Sequence, residues 1–269
     1  MHAAVLGSPI AHSKSPVLHR AAYSALGLTD WTYERIECTG EQLPALARSL
    51  GPDWVGLSVT MPGKVAALDF AAHRTERAQL AGSANTLVRT DDGWRADCTD
   101  VDGVHGALAE GGVTDLSGAA VTVVGAGGTS RPAVIALAGL GARSVTIVGR
   151  SLGRARDTLA CAEAAGLEAT FLLLDSPSLT EVAGSSAVLV STVPASGAAP
   201  YARALASAPF VLDAIYDPWP TPLADAVSEA DGTVVSGLAM LLNQAYGQVE
   251  QFTGRPAPKA EMRAALASV

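Results

Sequence analysis

Six short apolar runs in the second half of the chain constrain its fold more than any other feature of the sequence. Most of them are continuous stretches of β-branched residues and leucine, a pattern typical of strands that are buried on both faces of a sheet. Helical patterns separate the runs, which predicts βαβ units that form a parallel sheet. The runs are AVTVVG (120–125), SVTIVG (144–149), ATFLLL (169–174), AVLVST (187–192), FVLDAIY (210–216) and TVVSG (233–237).

The first hundred residues carry a second set of strand-like segments, and the last 30 or so residues read as two helices. Two of the segments flank Asp91-Asp92-Gly93, a sequence typical of the turn of a β-hairpin. A chain of 269 residues is long enough for two domains, and we predict an α/β fold for both. The segments are AAVLG (3–7), WTYERIEC (31–38), WVGLSVT (54–60), NTLVRT (85–90) and WRADCT (94–99).

Composition excludes several classes of protein. Apolar residues make up 49% of the chain and charged residues 16%, which favours a compact fold over disorder. No apolar run reaches the roughly 18 residues of a membrane span. The N-terminus lacks the basic start and long apolar core of a signal peptide. We therefore expect a cytoplasmic protein without a membrane segment.

The cysteines and the net charge argue against a metal ion and against nucleic acid as ligands. Cys38, Cys98 and Cys161 are odd in number and far apart, which fits neither a disulfide framework nor a zinc site. We expect no metal. A net charge of −8 without a basic run argues against a nucleic-acid partner. An anionic ligand would have to be bound by local groups.

A glycine-rich turn follows the first of the six apolar runs. Gly125, Gly127 and Gly128 stand between a predicted buried strand and a predicted helix. Such a turn lets backbone N–H groups at a helix N-terminus approach a pyrophosphate closely. Ser130 replaces the third glycine of GxGxxG and is small enough for close packing of helix on strand. This context predicts a Rossmann-type doubly wound sheet that binds a dinucleotide; a glycine turn without a ligand is the alternative.

The second apolar run ends at a basic sequence. NAD-specific sites usually carry an acidic residue there, whereas this chain has Arg150 and Ser151, with Arg154 one helical turn later. Two guanidinium groups, a hydroxyl and a helix N-terminus would favour the 2′-phosphate of NADP. The alternative is a pair of surface arginines on a solvated helix. We predict NADP as the cofactor.

Lys64 stands out because lysine is rare in this chain. Only three of the 18 basic residues are lysines, and Lys64 follows a predicted strand and the turn Met61-Pro62-Gly63. A partly buried ammonium group can change its protonation state, whereas a guanidinium effectively cannot. The position is therefore a candidate for proton transfer; a solvated lysine at a helix start is the alternative.

Polar residues gather at other strand ends in the first half of the chain. Ser13 and Ser15 stand two apart before a predicted helix, where they could bind a carboxylate or simply cap the helix. Thr60, Asn85 and Asp100 each lie where a strand meets a loop, the usual position of ligand groups in open α/β sheets. Each of them alone could be an ordinary turn residue.

Taken in order, these clusters are similar to the motifs of shikimate dehydrogenases, and the resemblance covers essentially the whole chain. It implies a substrate domain made of residues 1–100 and 238–269, with a mainly parallel sheet, and an NADP domain made of residues 101–237. It places the active site in the cleft between the domains and implies reversible NADPH-dependent reduction of 3-dehydroshikimate to shikimate, a step towards chorismate and the aromatic amino acids. The motifs are GSPIAHSKSPVLH, GLSVTMPGK, GSANT, CTDVDG, GAGGTSR, GRS, DAIYDPWPTPL and SGLAMLLNQA.

The resemblance also implies roles for individual residues. Lys64 and Asp100 match the catalytic pair, in which Lys64 would supply the proton and Asp100 would orient the ammonium group. The residues that would hold the substrate are Ser13 and Ser15 with Tyr216 at its carboxylate, and Thr60, Asn85 and Gln244 at its ring hydroxyls. The residues that would hold the cofactor are Gly125, Ala126, Gly127, Gly128, Thr129, Arg150, Ser151, Arg154, Thr192, Gly237 and Met240.

The chain also departs from the usual family pattern. Cys98 replaces the Asn that usually precedes the Thr-Asp pair, which changes the hydrogen bonding beside Asp100. Ser58 and Arg20 stand where Asn is frequent, and Ser191-Thr192-Val193 replaces an Asn-Ala-Thr type segment. None of these changes removes a predicted catalytic group.

Other functions on the same scaffold stay open from the sequence. A quinate/shikimate dehydrogenase or an aminoshikimate dehydrogenase would need only a changed hydroxyl contact. A non-catalytic NADP-binding sensor would keep the glycine turn and lose the substrate site. The expected partner is a small molecule, and a monomer and a homodimer are both compatible with the sequence.

Overall fold

The computed structural model describes residues 1–268, which form two compact α/β units. Unit 1 comprises Met1–Asp100 and the segment from Leu241 onward, and unit 2 comprises Val101–Met240. The prediction of two α/β domains is confirmed.

The strands of the described residues form two six-stranded sheets. In chain order, β1 to β12 are His2–Gly7, Thr32–Glu37, Trp54–Val59, His73–Arg74, Thr86–Thr90, Gly93–Asp97, Ala120–Val124, Ser144–Gly149, Glu168–Leu173, Val188–Ser191, Phe210–Asp213 and Thr233–Ser236. In the same order, helices α1 to α13 are Ser15–Ala25, Leu43–Ser49, Lys64–Phe70, Glu76–Ala81, Asp100–Glu110, Ser130–Gly139, Leu152–Ala164, Leu179–Gly184, Ala195–Ala198, Ala202–Leu205, Pro222–Glu229, Gly237–Thr253 and Lys259–Ala267.

The sheet of unit 1 is mixed, in the order β2-β1-β3-β5-β6-β4. β1 runs parallel to β2 and β3, and β4 runs parallel to β6, whereas β5 is antiparallel to both of its neighbours. The predicted mainly parallel sheet is therefore confirmed. The predicted hairpin is also present, because Thr90 faces Gly93 across the two-residue turn between β5 and β6.

The sheet of unit 2 is entirely parallel, in the order β9-β8-β7-β10-β11-β12. Counted from β7, this is the 3-2-1-4-5-6 order of a doubly wound Rossmann sheet. Along β7 and β8, Val123 and Ile147 pack in one buried apolar cluster, whereas their neighbours Val124 and Val148 pack in another. Both faces of the sheet are covered, which explains why its strands read as continuous apolar runs.

The predicted and observed strands differ by one or two residues at several ends, and the structure differs most from the sequence prediction at two strands. β4 was not predicted, because a two-residue strand carries no periodic pattern. β11 ends at Asp213 and does not continue to 216, since the buried Asp213 carboxylate accepts hydrogen bonds from the N–H of Ile215 (3.2 Å) and the hydroxyl of Thr221 (2.6 Å). These two bonds turn the chain away from the sheet.

The buried carboxylate of Asp97 joins three elements of unit 1, through an ion pair with the partly exposed Arg77 and through two further hydrogen bonds. Asp97, at the end of β6, accepts two hydrogen bonds from the guanidinium of Arg77 on α4, at 2.7 and 2.6 Å. Its carboxylate also accepts hydrogen bonds from Thr75 and from Gln251 on α12, each at 2.7 Å. Burial by itself would raise the pKa of Asp97, but these donors outweigh it and lower the pKa to about 2.

We expect Asp97 to make unit 1 sensitive to acid. Because its folded pKa of about 2 lies below the ordinary 3.8, the carboxylate contributes about 2 kcal/mol above pH 4 and loses it as the pH falls towards 2. Urea unfolding, followed by tryptophan fluorescence at several pH values, should show this extra acid loss in the wild type and not in Asp97→Asn. Asp157→Asn, at an exposed position on α7, is the control. Equal pH dependence of wild type and Asp97→Asn would contradict the prediction.

The described residues contain neither a membrane-spanning helix nor a cluster of metal-binding side chains. No helix within residues 1–268 is long and apolar enough to cross a membrane. The same residues contain no group of three or more His, Cys, Asp or Glu side chains that could hold a metal ion.

Candidate active site

The topology of unit 1 brings several polar residues to one edge of its sheet. β1, β3 and β6 run in the same direction and end at this edge, and β5 starts there because it is antiparallel. Lys64 follows β3 as the first residue of α3, and Asn85 immediately precedes β5. Thr99 and Asp100 follow β6, and Ser13 lies on the loop after β1. Strand order therefore gathers residues that are far apart in the sequence.

Lys64 and Asp100 form an ion pair at this edge. The Lys64 Nζ lies 2.7 Å from the Asp100 Oδ2, and the two side chains are only 13% and 7% exposed. Burial by itself would lower the pKa of Lys64, but the attraction and hydrogen bond of Asp100 outweigh it, so that the pKa is raised above its ordinary value. Lys64 is therefore a partly enclosed cation that keeps its proton at neutral pH.

The carboxamide of Asn85 connects Asp100 to α12. Its Nδ2 lies 3.1 Å from the Asp100 Oδ1, 3.1 Å from the Gln244 Oε1 and 2.9 Å from the Thr99 Oγ1. Gln244 uses one N–H for the carbonyl of Leu241 (3.0 Å), which leaves a second N–H for a ligand. The predicted residues Asn85, Asp100 and Gln244 are thus in direct contact, although Asn85 and Gln244 are 159 positions apart.

The orientation of the Asn85 carboxamide follows from the donors around its oxygen. The Oδ1 accepts hydrogen bonds from the N–H of Thr99 (2.8 Å) and the hydroxyl of Thr86 (3.0 Å). These donors direct the amide nitrogen towards Asp100 and Gln244. Both N–H groups of Asn85 are therefore engaged, and the free N–H of Gln244 lies beside the Asp100 carboxylate, which suits a ligand that carries hydroxyl groups.

A second layer of buried polar residues lies behind Asn85, and sequence reasoning missed it. Gln248 donates to the backbone carbonyl of Asn85 and to the hydroxyl of Thr86, each at 3.1 Å. Its Oε1 accepts a hydrogen bond from Ser58 (2.7 Å), which in turn accepts one from the Tyr33 hydroxyl (2.6 Å). The spacing of Gln248 four residues after Gln244, on one helical face, was the signal that could have found it.

Ser13 and Ser15 lie together at the start of α1. The Ser13 Oγ accepts a hydrogen bond from the N–H of Ser15 (3.3 Å), so that the hydroxyl proton of Ser13 is free to be donated. Ser15 is buried, whereas Ser13 is partly exposed. Thr60 follows β3 and is partly buried, with its N–H bonded to the carbonyl of Leu6 (2.8 Å).

Tyr216 lies in unit 2, whereas the other predicted substrate-binding residues lie in unit 1. It follows β11 and is partly buried. Burial, and to a smaller extent the nearby Asp217, raises the pKa of its hydroxyl. The hydroxyl is therefore a neutral hydrogen-bonding group at neutral pH.

Cys98 is a buried thiol beside the ion pair. It is fully buried, and its N–H donates to the Asp97 Oδ1 (2.8 Å). Burial, with a smaller effect of Asp100, raises the pKa of the thiol well above its ordinary value. At this position the chain therefore places a small neutral group next to Asp100.

The glycine-rich turn of unit 2 requires glycine at its first position. Gly125 has φ +113°, and a Cβ there would overlap the hydroxyl of Thr192. That hydroxyl donates to the carbonyl of Val124 (2.9 Å) and lies 2.8 Å from the Ser130 Oγ. Ser130 also accepts the N–H of Gly127 (3.0 Å). Thr192 and Ser130 therefore hold the turn in shape.

The rest of the turn is open towards a ligand. The described residues provide no hydrogen-bond acceptor for the N–H groups of Ala126, Gly128 and Thr129. A Cβ on the exposed Gly127 would meet no heavy atom within 4 Å, its chain neighbours aside. Three free N–H groups at the N-terminus of α6 fit the phosphates of a dinucleotide.

The basic residues after β8 are also available. Arg150, Ser151 and Arg154 are exposed, and neither arginine forms an ion pair with a described residue. Arg150 precedes α7, which begins at Leu152, so Arg150 and Arg154 do not lie one turn apart in the same helix, as the sequence had suggested. Ser151 is the N-cap residue of α7, and its side chain makes no capping hydrogen bond.

The two remaining predicted cofactor residues lie at the start of α12. Gly237 is required by close packing, because a Cβ there would overlap the carbonyl group of Ala214. Met240 is only 7% exposed and packs in the apolar core of unit 2.

Three family models match the chain. The model described as "Shikimate dehydrogenase substrate binding domain" matches residues 5–87. The model "Shikimate / quinate 5-dehydrogenase" matches residues 107–199, and "Shikimate 5'-dehydrogenase C-terminal domain" matches residues 237–267. Matches therefore occur in both units.

Solved structures and curated relatives are similar over nearly the whole chain. Shikimate dehydrogenase from Mycobacterium tuberculosis is 56% identical, with 100% of this chain and 99% of that chain covered and a TM-score of 0.94. Shikimate 5-dehydrogenase from Mycobacterium fortuitum is 60% identical, with 98% and 97% covered and a TM-score of 0.90. A curated relative from Microcystis aeruginosa named shikimate dehydrogenase (NADP(+)) is 32% identical, with 97% of this chain and 94% of the relative covered. Other relatives are pentafunctional AROM polypeptides, of which this chain spans 17% of the length.

Proposed function

The chain belongs to the shikimate dehydrogenase family, and we propose that it catalyses the reversible NADPH-dependent reduction of 3-dehydroshikimate to shikimate with Lys64 and Asp100 as its catalytic pair. The reaction is that of an NADP-dependent oxidoreductase acting on a CH–OH group, on the pathway to chorismate and the aromatic amino acids. The observation that carries the proposal is the enclosed 2.7 Å ion pair between Lys64 and Asp100, near the Gln244 carboxamide, whose second N–H is free for a ring hydroxyl.

Lys64 acts on the carbonyl oxygen of the substrate. Reduction of a ketone builds negative charge on this oxygen, and a nearby cation that can release a proton both stabilises and neutralises it. Lys64 is such a cation, because Asp100 keeps it protonated in spite of burial. An arginine at this position could supply only the charge.

Asp100 and the two carboxamides hold the ring hydroxyls. Asp100 receives Lys64 at its Oδ2 and Asn85 at its Oδ1, which orients the ammonium group. Gln244 offers its free N–H and the Asp100 carboxylate is an acceptor, whereas Asn85 binds the ring by exchanging one of its present contacts for a ring hydroxyl. Thr60, beside the turn before Lys64, adds a hydroxyl to the same set.

Ser13 and Ser15 bind the substrate carboxylate, with Tyr216 contributing a neutral phenol. The Ser13 hydroxyl can donate because its oxygen already accepts the N–H of Ser15. Neutral donors suit a carboxylate, which can accept up to about four hydrogen bonds.

NADP fits the residues of unit 2. When bound, it supplies the hydride for the reduction. The free N–H groups of the glycine-rich turn bind the pyrophosphate, and the exposed Arg150 and Arg154 with Ser151 bind the 2′-phosphate. Thr192 supports the turn through Ser130. Gly237 allows the close approach of α12 to Ala214, and Met240, in the first turn of that helix, packs in the apolar core of unit 2.

The alternative functions can be compared on the same set of residues. A quinate or aminoshikimate dehydrogenase would use this scaffold and differ in its ring contacts. A non-catalytic NADP sensor is disfavoured, because Lys64, Asn85, Asp100 and Gln244 form an intact connected set. We further propose a cytoplasmic enzyme with a small-molecule substrate; a monomer and a homodimer are both compatible with this function.

Initial rates with shikimate and with quinate, each against NADP and NAD, test the proposal. We expect shikimate with NADP to give the highest kcat/KM of the four combinations, because the serine pair and the two arginines match a carboxylate and a 2′-phosphate. Turnover of quinate with NAD alone would refute both the substrate and the cofactor. Absence of turnover with all four, together with intact NADP binding, would favour the sensor.

A further inference from the structure

The loop that carries Ser13 is held by two neighbouring side chains of the edge strand β2. Arg35 and Glu37 are two residues apart, so that they point to the same face of the strand. The Glu37 carboxylate accepts hydrogen bonds from the Ser8 hydroxyl (2.6 Å) and from the N–H of Ile10 (3.2 Å). Glu37 therefore holds the beginning of the loop, where the chain leaves β1.

Arg35 holds the other end of the same loop. Its Nε and Nη2 donate to the backbone carbonyl of Ser13, at 2.9 and 2.5 Å. Arg35 is exposed, and none of its atoms lies within ion-pair distance of a carboxylate of the described residues. Its charge-assisted hydrogen bonds are therefore directed at this carbonyl and not at an acidic side chain.

Ser13 is thus held from two sides. Arg35 holds its carbonyl, and the N–H of Ser15 holds its Oγ at 3.3 Å. The one polar group of Ser13 that stays free to act outward is its hydroxyl proton. A donor that is held in place before binding costs less ordering entropy when a ligand arrives.

We propose that Arg35 is a positioning residue, which fixes Ser13 for the substrate carboxylate and so sets the affinity for a carboxylate-bearing substrate. The inference rests on the proposed function, in which Ser13 binds that carboxylate. Arg35 acts through the Ser13 backbone and touches neither the reacting carbonyl nor Lys64. Its loss should weaken substrate binding and leave the chemical step intact.

Steady-state kinetics of Arg35→Met test the inference. We expect the KM for shikimate to rise about tenfold, the size of effect given by one charge-assisted hydrogen bond. We expect kcat and the KM for NADP to stay within about twofold of the wild type. Arg35→Lys keeps a single cationic donor and should recover part of the affinity.

Arg255→Met is the matched control. Arg255 also donates to a backbone carbonyl, that of Leu26 (3.0 Å), beyond the opposite end of α1. The Arg255→Met variant loses the same charge and the same type of contact in unit 1 as Arg35→Met. We expect its KM for shikimate to equal that of the wild type. An equal rise of KM in both variants would show a general effect of charge or stability and would overturn the inference.

A double-mutant cycle with Ser13→Ala separates this inference from the proposed function. If Arg35 acts through Ser13, then Arg35→Met should raise KM no further in the Ser13→Ala background. Full additivity of the two changes would overturn the inference, as would an unchanged KM in Arg35→Met. An unchanged KM in Ser13→Ala would instead remove the carboxylate role of Ser13 from the proposed function.

Discussion

Replacement of Lys64 by alanine or by arginine is expected to lower kcat by about 10²–10⁴, the usual contribution of a positioned acid–base group. Alanine removes both the charge and the proton, whereas arginine keeps the charge and cannot release the proton. Because Asp100 and Asn85 remain to bind the ring, the Kd for shikimate should change much less than kcat. Turnover rates and shikimate binding by calorimetry measure the two effects separately.

Lys259→Ala is the control for this experiment. Lys259 is a lysine of α13 whose ammonium lies 5.2 Å from the ring centroid of Tyr246, and we expect normal turnover in the variant. Thermal unfolding of Lys64→Ala should accompany the kinetics, since loss of one partner leaves the Asp100 carboxylate enclosed and unpaired. Near-normal turnover in Lys64→Arg would remove the proton-transfer role and leave only a fixed charge.

The double change Arg150→Gln with Arg154→Gln is expected to lower kcat/KM for NADP by about 100-fold. Each exposed arginine is assigned about tenfold, at the lower end of the range for hydrogen bonds to charged groups because water screens it. NAD has no 2′-phosphate, so its kcat/KM should change by less than about threefold. The preference for NADP over NAD should therefore largely disappear.

Binding of nucleotide fragments tests the same assignment without catalysis. Adenosine 2′,5′-bisphosphate should lose affinity in the double variant, whereas adenosine 5′-monophosphate should bind as it does to the wild type. Arg203→Gln, at an exposed position on α10, controls for one unit of net charge. An unchanged ratio of NADP to NAD efficiency would show that Arg150 and Arg154 are only surface residues.

The fold could be predicted from the sequence to a large extent. The six apolar runs of unit 2 form β7 to β12 in the structure. They could be predicted because a strand that is buried on both faces is apolar at nearly every residue. The Asp91-Asp92 turn was likewise predicted, since a hairpin is encoded by neighbouring residues. β4 was missed, and β11 was predicted too long, because a two-residue pairing and the contacts of the buried Asp213 depend on distant parts of the chain.

The structure connects some of the predicted site residues by hydrogen bonds and places others outside the expected element. Lys64, Asp100, Asn85 and Gln244 are joined by hydrogen bonds, and their catalytic and binding roles stay predictions. Arg150 lies outside the helix that carries Arg154, which the local periodicity did not indicate. Gln248 could have been found from its spacing four residues after Gln244, whereas nothing in the sequence singled out Arg35.

The sequence by itself determined the classes of secondary structure, the family and the types of residue available for the chemistry, because periodicity, turn residues and motifs are local. Only the tertiary structure decided which of those residues meet. The fold brings Asn85 into hydrogen-bond contact with Gln244, which lies 159 positions away. The Asp97 carboxylate on β6 accepts hydrogen bonds from Arg77 on α4 and from Gln251 on α12. The ionisation of Lys64 also depends on this folding, since the balance between burial and Asp100 exists only when the two side chains are enclosed together.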